Sequence, residues 1–298
     1  MSIFNKELQD KSTATFCAKI IKDSINECGN RLTTFELTYP RCIHSEIMTH
    51  RMFSRNAASS RAIPVEKTLE AVRTNPFIPF HWGKNQSGMQ AYNVLSETEE
   101  EICRDQWIEA GQAALKSVQL MTHTGLHKQI ANRILEPWMF ITVVLSTTSF
   151  KHFELLRNHE AAEPHFQYLT RLMSKSRQES TPTLLRSGEW HLPYIYDEDI
   201  QTLGIEDLKK ISTARCAAVS YVRQNEKKEY AKDFALHDRL KNNGHSSPFE
   251  HVATPHIEID YIDSGLAGGY YTTKPKQSAN FLGWKQYRKE IPNEFVRD

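Results

Sequence analysis

The chain has 298 residues, of which 39% are hydrophobic, 24% charged and 10% aromatic, and its formal net charge is +1. This globular composition suits one large domain or two moderate ones and lacks the broad positive charge of a general nucleic-acid-binding protein. No run of 18 apolar residues predicts a membrane span, and the N-terminus lacks a signal-peptide pattern. Five scattered cysteines without a CxxC pair predict a reduced, cytoplasmic protein with buried thiols.

Apolar spacing and chain breakers set the predicted elements of the first fifty residues. Apolar positions on one face predict a helix over 13–28 that ends at Gly29. The β-branched and aromatic run over 32–39 predicts a strand, which Pro40 ends. A helical pattern resumes over 42–53, so we expect a helix to lead into the segment that follows.

The segment from Thr49 to Arg61, which we call the Arg/Ser segment, has the sequence THRMFSRNAASSR. It contains three arginines, one histidine, three serines and one asparagine, and no acidic residue. Arginine offers a planar fork of donors and serine a short hydroxyl, so this set suits a phosphate group. On composition alone a solvated helix end is an equal alternative.

The middle of the chain combines a loop with a long helix. Residues 74–92 form a Pro/Gly-rich loop that is unusually aromatic. Ser96 and Glu99 form a predicted capping box that opens an amphipathic helix ending near Gly125. Residues 138–145 are apolar and fit either a strand or a buried helix.

Further along, residues 177–204 are the best candidate for a boundary, because they are rich in Pro, Gly and polar groups. No Gly-rich dinucleotide fingerprint and no P-loop is present. The other predicted elements are helices at 127–135, 149–157, from Pro164 and at 227–242, a helix or strand at 207–221, and a long loop at 264–280.

Three matches in chain order give the sequence its resemblance to a known family. The Arg/Ser segment supplies His50, Arg51 and the spaced Ser54, Asn56, Ser59 and Arg61, with Thr49 where the family has its first arginine. The second match is 131–137, and the third runs from Ser146 to Leu169 and includes Arg157. In these motifs the chain resembles the flavin-dependent thymidylate synthases.

A fourth match is out of order. Residues 214–221 and 244–251 resemble a part of the family that precedes the Arg-rich motif, but here they follow it. The chain is therefore either permuted or carries a duplicated, diverged half. We interpret 1–180 as a flavin- and nucleotide-binding catalytic region and 205–298 as a C-terminal region that resembles the N-terminal part of the family fold, packed into the same globule.

The resemblance implies an α/β (α+β) fold of the flavin-dependent thymidylate synthase type, with a mixed sheet, long helices and no Rossmann motif. It implies the reductive methylation of dUMP to dTMP for nucleotide biosynthesis. Methylenetetrahydrofolate would supply the carbon, and FAD reduced by NADPH would supply the hydride. It also implies a homo-oligomer with shared sites, and no membrane or nucleic-acid partner.

The resemblance also implies roles for individual residues. Arg157 and Ser59 are the predicted catalytic residues, and no metal ligands are expected. Ser146, Thr148 and His152 stand where the family usually has Asn, Arg and Asn. The predicted substrate-binding residues are Glu46, Ser59, Ser60, Arg61, Arg133 and Arg157. The predicted cofactor-binding residues are Thr49, His50, Arg51, Asn56, Ser146, Thr148, His152, Ser220, His245 and Ser247.

Other interpretations remain open at this stage. Related chemistry at C5, such as methylation or hydroxymethylation of dUMP or dCMP, fits the same motifs. A nucleic-acid-binding protein and a catalytically inactive structural homologue are alternatives from other classes. Arg157 could pair with Glu154 or Glu160 on its own helix. Cys42 is predicted to be a buried structural thiol, because no pattern around it indicates a nucleophile.

Overall fold

A mixed five-stranded sheet organises the protein. The structure, a computed structural model, describes residues 2–219, 229–262, 270–292 and 294. The strand order is β3-β4-β2-β1-β5, in which β5 is parallel to β1 and all other neighbours are antiparallel. The α/β class with a mixed sheet is confirmed. The strands are β1 (Cys17–Asn26), β2 (Arg31–Pro40), β3 (Ser54–Ala57), β4 (Phe140–Thr147) and β5 (Thr183–Leu185).

Helices connect and cover these strands. The long helix α4 begins with the predicted capping box, since Ser96 and Glu99 exchange side-chain and backbone bonds. The helices are α1 (Ser2–Ala14), α2 (His44–Met48), α3 (Val65–Thr74), α4 (Glu97–His123), α5 (Lys128–Ala131), α6 (Phe150–Arg157), α7 (Pro164–Glu179), α8 (Asp197–Thr202), α9 (Ile205–Ala218) and α10 (Tyr230–Asn242). Short 3₁₀ helices span Arg41–Ile43, Asn132–Trp138, Ser247–Glu250 and Tyr287–Glu290.

Short strands make up the C-terminal part. They are β6 (Ala253–Pro255), β7 (Ile257–Ile262), β8 (Tyr270–Pro275), β9 (Gln277–Ser278), β10 (Phe281–Leu282) and β11 (Trp284–Gln286). Within the described residues they form two-stranded sheets, β6 with β11, β7 with β8 and β9 with β10. The prediction of a loop over 264–280 is therefore wrong for 270–275, which pairs in register with β7, and for 277–278, which pairs with β10. Residues 263–269 lie outside the described residues.

The main core lies between the sheet and helices α6 and α7. Phe35 of β2 and Leu145 of β4 are fully buried against Phe150 and Phe166. Pro164 begins α7, and the carboxylate of Glu163 accepts a hydrogen bond from the backbone N–H of Phe166 at 2.7 Å. The ambiguous apolar run at 138–145 is a strand because it pairs with a strand on each side.

Two predicted elements near the Arg/Ser segment are wrong. The expected helix over 13–28 is strand β1, which pairs with β2 through a turn that Gly29 makes at φ 77°. An irregularity between Ile20 and Lys22 breaks the alternation, so the apolar spacing imitated a helix. The helix expected over 42–53 ends at Met48, and the chain then turns into the edge strand β3.

The C-terminal part contacts the sheet that carries the Arg/Ser segment. Asn56 of β3 donates its side-chain N–H to the carbonyl of Cys216 at 2.8 Å. Ser146 of β4 lies 2.8 Å from the Nδ1 of His251. The division into regions 1–180 and 205–298 stays a prediction.

Membrane spans and cysteine burial are the subject of two further predictions. Among the described residues no helix is both long and apolar enough to cross a bilayer. The prediction of buried thiols is wrong for most cysteines: Cys216 is buried, Cys28 and Cys103 are partly buried, and Cys17 and Cys42 are exposed.

Candidate functional site

Arg55 fixes the turn that carries the first half of the Arg/Ser segment. Its guanidinium donates to the carbonyl oxygens of Ile47, Met48 and His50 at 3.0, 3.2 and 3.0 Å. Ile47 and Met48 lie in the last turn of α2 and His50 lies just beyond it, so Arg55 caps the end of this helix from the neighbouring strand. This bonding sets the positions of Thr49 and His50, and it gives Arg55 a structural role.

His50 and Arg157 join two of the matched motifs through a hydrogen bond. The Nε of Arg157 donates to the Nε2 of His50 at 2.9 Å, and its NH2 lies 3.4 Å from the hydroxyl of Thr49. The guanidinium also lies 5.2 Å from the centre of the Phe166 ring. In the described part of the chain Arg157 forms no ion pair with Glu154 or Glu160. The alternative of a surface pair on α6 therefore has no support.

The environment keeps His50 uncharged. Its ring packs against Phe53, Phe153 and Phe166. Burial, followed by the charge of Arg157, lowers the pKa of His50 to about 4. Since Nε2 accepts the hydrogen bond, the ring proton lies on Nδ1 at neutral pH. The neutral ring holds Arg157 in place without repelling its charge.

We expect His50 to titrate near pH 4 in the folded protein. Its pKa lies below the ordinary value of 6.5, so its contribution to stability is complete above pH 6.5 and is lost as the pH falls towards 4. An NMR titration of the His50 ring measures the midpoint. In Arg157→Met the midpoint should rise but stay below 6.5, because burial is the larger cause. A wild-type midpoint near 6.5 would contradict this electrostatic account.

The second half of the Arg/Ser segment is a loop that the 132–138 turn holds. The buried hydroxyl of Ser60 donates to Glu136 at 2.7 Å, and Glu136 also pairs with Arg41 at 3.1 Å. Asn132 donates to the carbonyl oxygens of Ser60 and Ile63 at 2.7 and 2.9 Å. These bonds hold the loop against the 132–138 turn. The residue that follows Asn132 in this turn is Arg133, the predicted phosphate-binding arginine.

Three predicted ligand-binding arginines are exposed cations. Arg51, Arg61 and Arg133 are exposed, and within 2–219, 229–262, 270–292 and 294 none of them forms an ion pair. Ser59 is half-buried beside Arg61. β3 separates this loop from His50 and Arg157 by roughly 10 Å along the strand. The site thus has two parts, a loop with exposed arginines and a half-buried Arg–His pair.

Several predicted cofactor-binding residues make internal hydrogen bonds, and the hydroxyl of Thr148 accepts one from the backbone N–H of Leu282 at 3.0 Å. Ser146 is fully buried, with its hydroxyl 2.6 Å from that of Thr34 and 2.8 Å from His251. Asn56 is tied to the backbone of Cys216. Glu46 lies in α2, where its side chain accepts a hydrogen bond from Ser45 at 3.0 Å.

Thr148 and His152 line an open cleft of about 460 Å³. The cleft lies between the β1–β2 turn, the start of α6 and Arg177 of α7. Of the C-terminal residues, His245 is exposed and Ser247 begins a 3₁₀ turn that contacts β3. Ser220 lies outside the described residues.

The sequence interpretation missed the residues that support the site. Glu136 and Asn132 brace the loop, and both lie inside the matched 131–137 segment, so that match was an available signal. His251, which bonds to Ser146, also lies in a matched segment. No pattern in the sequence indicated that Arg177 would line the same cleft as His152.

Cys42 has the environment of an unreactive thiol. The side chain reaches the surface, contrary to the prediction of a buried thiol. The pKa of the thiol is raised to about 12. The main cause is that the neighbouring protein shields the sulfur from water, and the carboxylates of Glu163 and Glu46 add to it. At neutral pH it carries almost no thiolate, which is the nucleophilic form.

Neither the models of protein families nor the curated proteins give a match to this chain. The solved structures that are similar to part of it include two enzymes. One is the UMP/dUMP methylase PolB from Streptomyces cacaoi bound with 5-Br UMP, at 14% identity and a TM-score of 0.45, over 55% of this chain and 89% of that one. The other is Thymidylate Synthase X from Helicobacter pylori with FAD and dUMP, at 16% identity and a TM-score of 0.35, over 49% of this chain and 67% of that one.

Proposed function

We propose that this protein is a flavin-dependent thymidylate synthase that methylates dUMP with methylenetetrahydrofolate and NADPH as co-substrates. The observation that carries the proposal is the 2.9 Å bond between His50 and Arg157. These residues belong to two motifs that were matched separately and lie 107 positions apart. If the two motif matches were accidental, nothing would require His50 and Arg157 to meet in a half-buried contact.

Arg157 is suited to act on the pyrimidine ring. Its Nε is occupied by His50 and one face of its guanidinium covers Phe166, so the group is held in one position. A fixed cation beside the ring carbonyls stabilises the negative charge that develops as C5 becomes nucleophilic. His50 is the positioning residue in this arrangement, because it acts through Arg157.

The loop at the other end of β3 is suited to the phosphate of the nucleotide. Arg61 and Arg133 supply exposed cations, and Ser59 supplies a hydroxyl. The hydroxyl of Ser60 already donates to Glu136, so Ser60 would contribute through its backbone. A nucleotide bound along β3 would place its phosphate at this loop and its base near Arg157.

The cleft beside α6 fits a flavin nucleotide, because the described residues that line it include cations and no carboxylate. Thr148 and His152 would contact the group there, and the reduced flavin would supply the hydride. Of the other predicted flavin contacts, Thr49 and Arg51 lie on the exposed side of the segment, and Ser247 lies on the C-terminal turn that contacts β3.

Exposed apolar side chains beside the Arg–His pair support a homo-oligomer with shared sites. Met48, Met52, Leu155 and Leu156 are 47%, 42%, 66% and 50% exposed, and each lies within two residues of Thr49, His50 or Arg157. Exposed apolar side chains that cluster on a surface are typical of a site where another protein binds. A second subunit would cover it and exclude water from the pyrimidine ring.

Removing either loop arginine is expected to weaken nucleotide binding. Arg61→Ala or Arg133→Ala should raise KM for dUMP about tenfold, because each removes a charge-assisted contact to the phosphate. The kcat value should change little, since the phosphate takes no part in the chemistry. Steady-state kinetics measures both. An unchanged KM in both variants would show that this loop does not bind the phosphate.

A catalytically inactive homologue is the second candidate. It is favoured by the internal bonding of Ser146 and Asn56, which leaves two predicted flavin contacts occupied within the protein. Reconstitution with FAD separates the two candidates. The proposed enzyme should hold FAD and turn over dUMP, whereas the inactive homologue should form no product at any FAD concentration.

A further inference from the structure

The cleft beside α6 contains more positive charge than the resemblance assigns to it. Its lining includes Arg31, Lys151 and Arg177 together with His152, and no Asp or Glu among the described residues. The sequence match gave roles only to Thr148 and His152. Clefts lined by one sign of charge concentrate ligands of the opposite sign.

One of these cations is neutralised within the protein. Arg31 donates to both carboxylate oxygens of Asp23 and to the carbonyl oxygens of Arg177 and Ser180. Asp23 also accepts from Thr33 and Ser180, so its oxygens are fully used. Arg31 therefore shapes the cleft and adds no net charge.

Arg177 has no such partner. Its Nε makes a long contact of 3.4 Å with Thr33, and its guanidinium lies 5.1 Å from the centre of the Phe150 ring. Asp23 and Glu154 act on it only from a distance, and in the described residues it forms no ion pair. Burial and the nearby Arg31 lower the pKa of Arg177, so an anion at this place would relieve an unfavourable charge.

Lys151 and the start of α6 complete the set of donors. Lys151 is exposed and forms no ion pair in the part of the chain that the structure describes. Ser149, which precedes the helix, makes no capping bond with its side chain. The first backbone N–H groups of α6 therefore remain available beside the two cations.

We propose that Arg177 and Lys151, together with the first N–H groups of α6, bind a phosphate or diphosphate group in this cleft. The inference rests on the proposed function for the identity of the ligand, because Thr148 and His152 line the same cleft. The chemical class is a dinucleotide held by its diphosphate. The free inorganic anion shares that chemistry, so the test separates the two sources.

The test compares three probes on the full-length protein at low ionic strength by calorimetry: inorganic pyrophosphate, FAD, and riboflavin, which has no phosphate. Lys151→Ala removes an exposed charge and should weaken pyrophosphate and FAD binding about fivefold. Arg177→Met keeps the stem over Phe150 and should weaken both about tenfold. Riboflavin binding should stay unchanged, and Lys116→Ala, on a helix outside the cleft, should match the wild type.

The outcomes separate this inference from the proposed function. If FAD binds equally well to wild type, Lys151→Ala and Arg177→Met, the anion site is wrong while the flavin enzyme stands. If pyrophosphate binding depends on both side chains but FAD does not bind, the anion site stands and the flavin enzyme is wrong. If neither pyrophosphate nor FAD binds to the wild type, the inference is overturned.

Discussion

Arg157→Met is expected to reduce kcat with dUMP by about 100- to 1,000-fold, the usual loss when one preorganised group that stabilises transition-state charge is removed. Methionine keeps an apolar stem over Phe166 and removes the donors that His50 and the ring carbonyls use. FAD binding should persist, because the cleft that we assign to the flavin is lined by other residues of α6. Single-turnover kinetics and flavin absorbance measure the two effects separately.

Arg73→Met serves as the matched control for this change. Arg73 lies on α3 and its side chain is 50% exposed in a surface pair with Glu70, so its loss should leave kcat unchanged. A wild-type kcat in Arg157→Met would show that Arg157 takes no part in the chemistry. An equal loss in both variants would point to a general effect of removing an arginine.

Phe166→Ala is expected to lower the free energy of unfolding by about 3–5 kcal/mol, as for other large aromatic residues deleted from a core. Phe166 is fully buried and contacts the rings of His50 and Phe153 as well as the Arg157 guanidinium. The cavity would therefore open directly beneath the Arg–His pair. Urea unfolding measures the loss, and kcat measured where the variant is folded should fall as well.

Tyr92→Ala is the control for the aromatic deletion, because Tyr92 is 61% exposed in the 74–92 loop. The free energy of unfolding of Tyr92→Ala should lie within about 0.5 kcal/mol of the wild-type value. If Phe166→Ala lowered the free energy of unfolding by less than about 1 kcal/mol, the Phe166 ring would not stabilise the core as its burial indicates. A stable variant with an unchanged rate would show that Arg157 is positioned without it.

The elements that the sequence predicted well carry local signals. The capping box at Ser96 and Glu99 and the proline that begins α7 act through neighbouring residues, so a window of sequence contains the whole cause. β1 and β3 depend instead on distant partners. β1 became a strand by pairing with β2 around Gly29, and the polar β3 forms because β4 offers it an edge.

The candidate site divides in the same way. The choice of His50 and Arg157 as candidate site residues followed from motifs that resemble a known family, but the bond between them was not predicted from the sequence. The capping of α2 by Arg55 and the hydrogen bond from Ser60 to Glu136 could not be predicted from the sequence, because both depend on how separate segments pack. The internal bonding of Ser146 was also beyond the sequence, since His251 lies 105 positions away.

The most direct test of the proposed function is turnover by the FAD-loaded protein, with dUMP and dCMP assayed in parallel in the presence of methylenetetrahydrofolate and NADPH. Mass spectrometry identifies each product. Our account predicts that dUMP gains one methyl group and becomes dTMP, and that dCMP is unchanged. A hydroxymethylated product or turnover of dCMP would contradict the assigned specificity, and no product from either nucleotide would contradict the proposed enzyme.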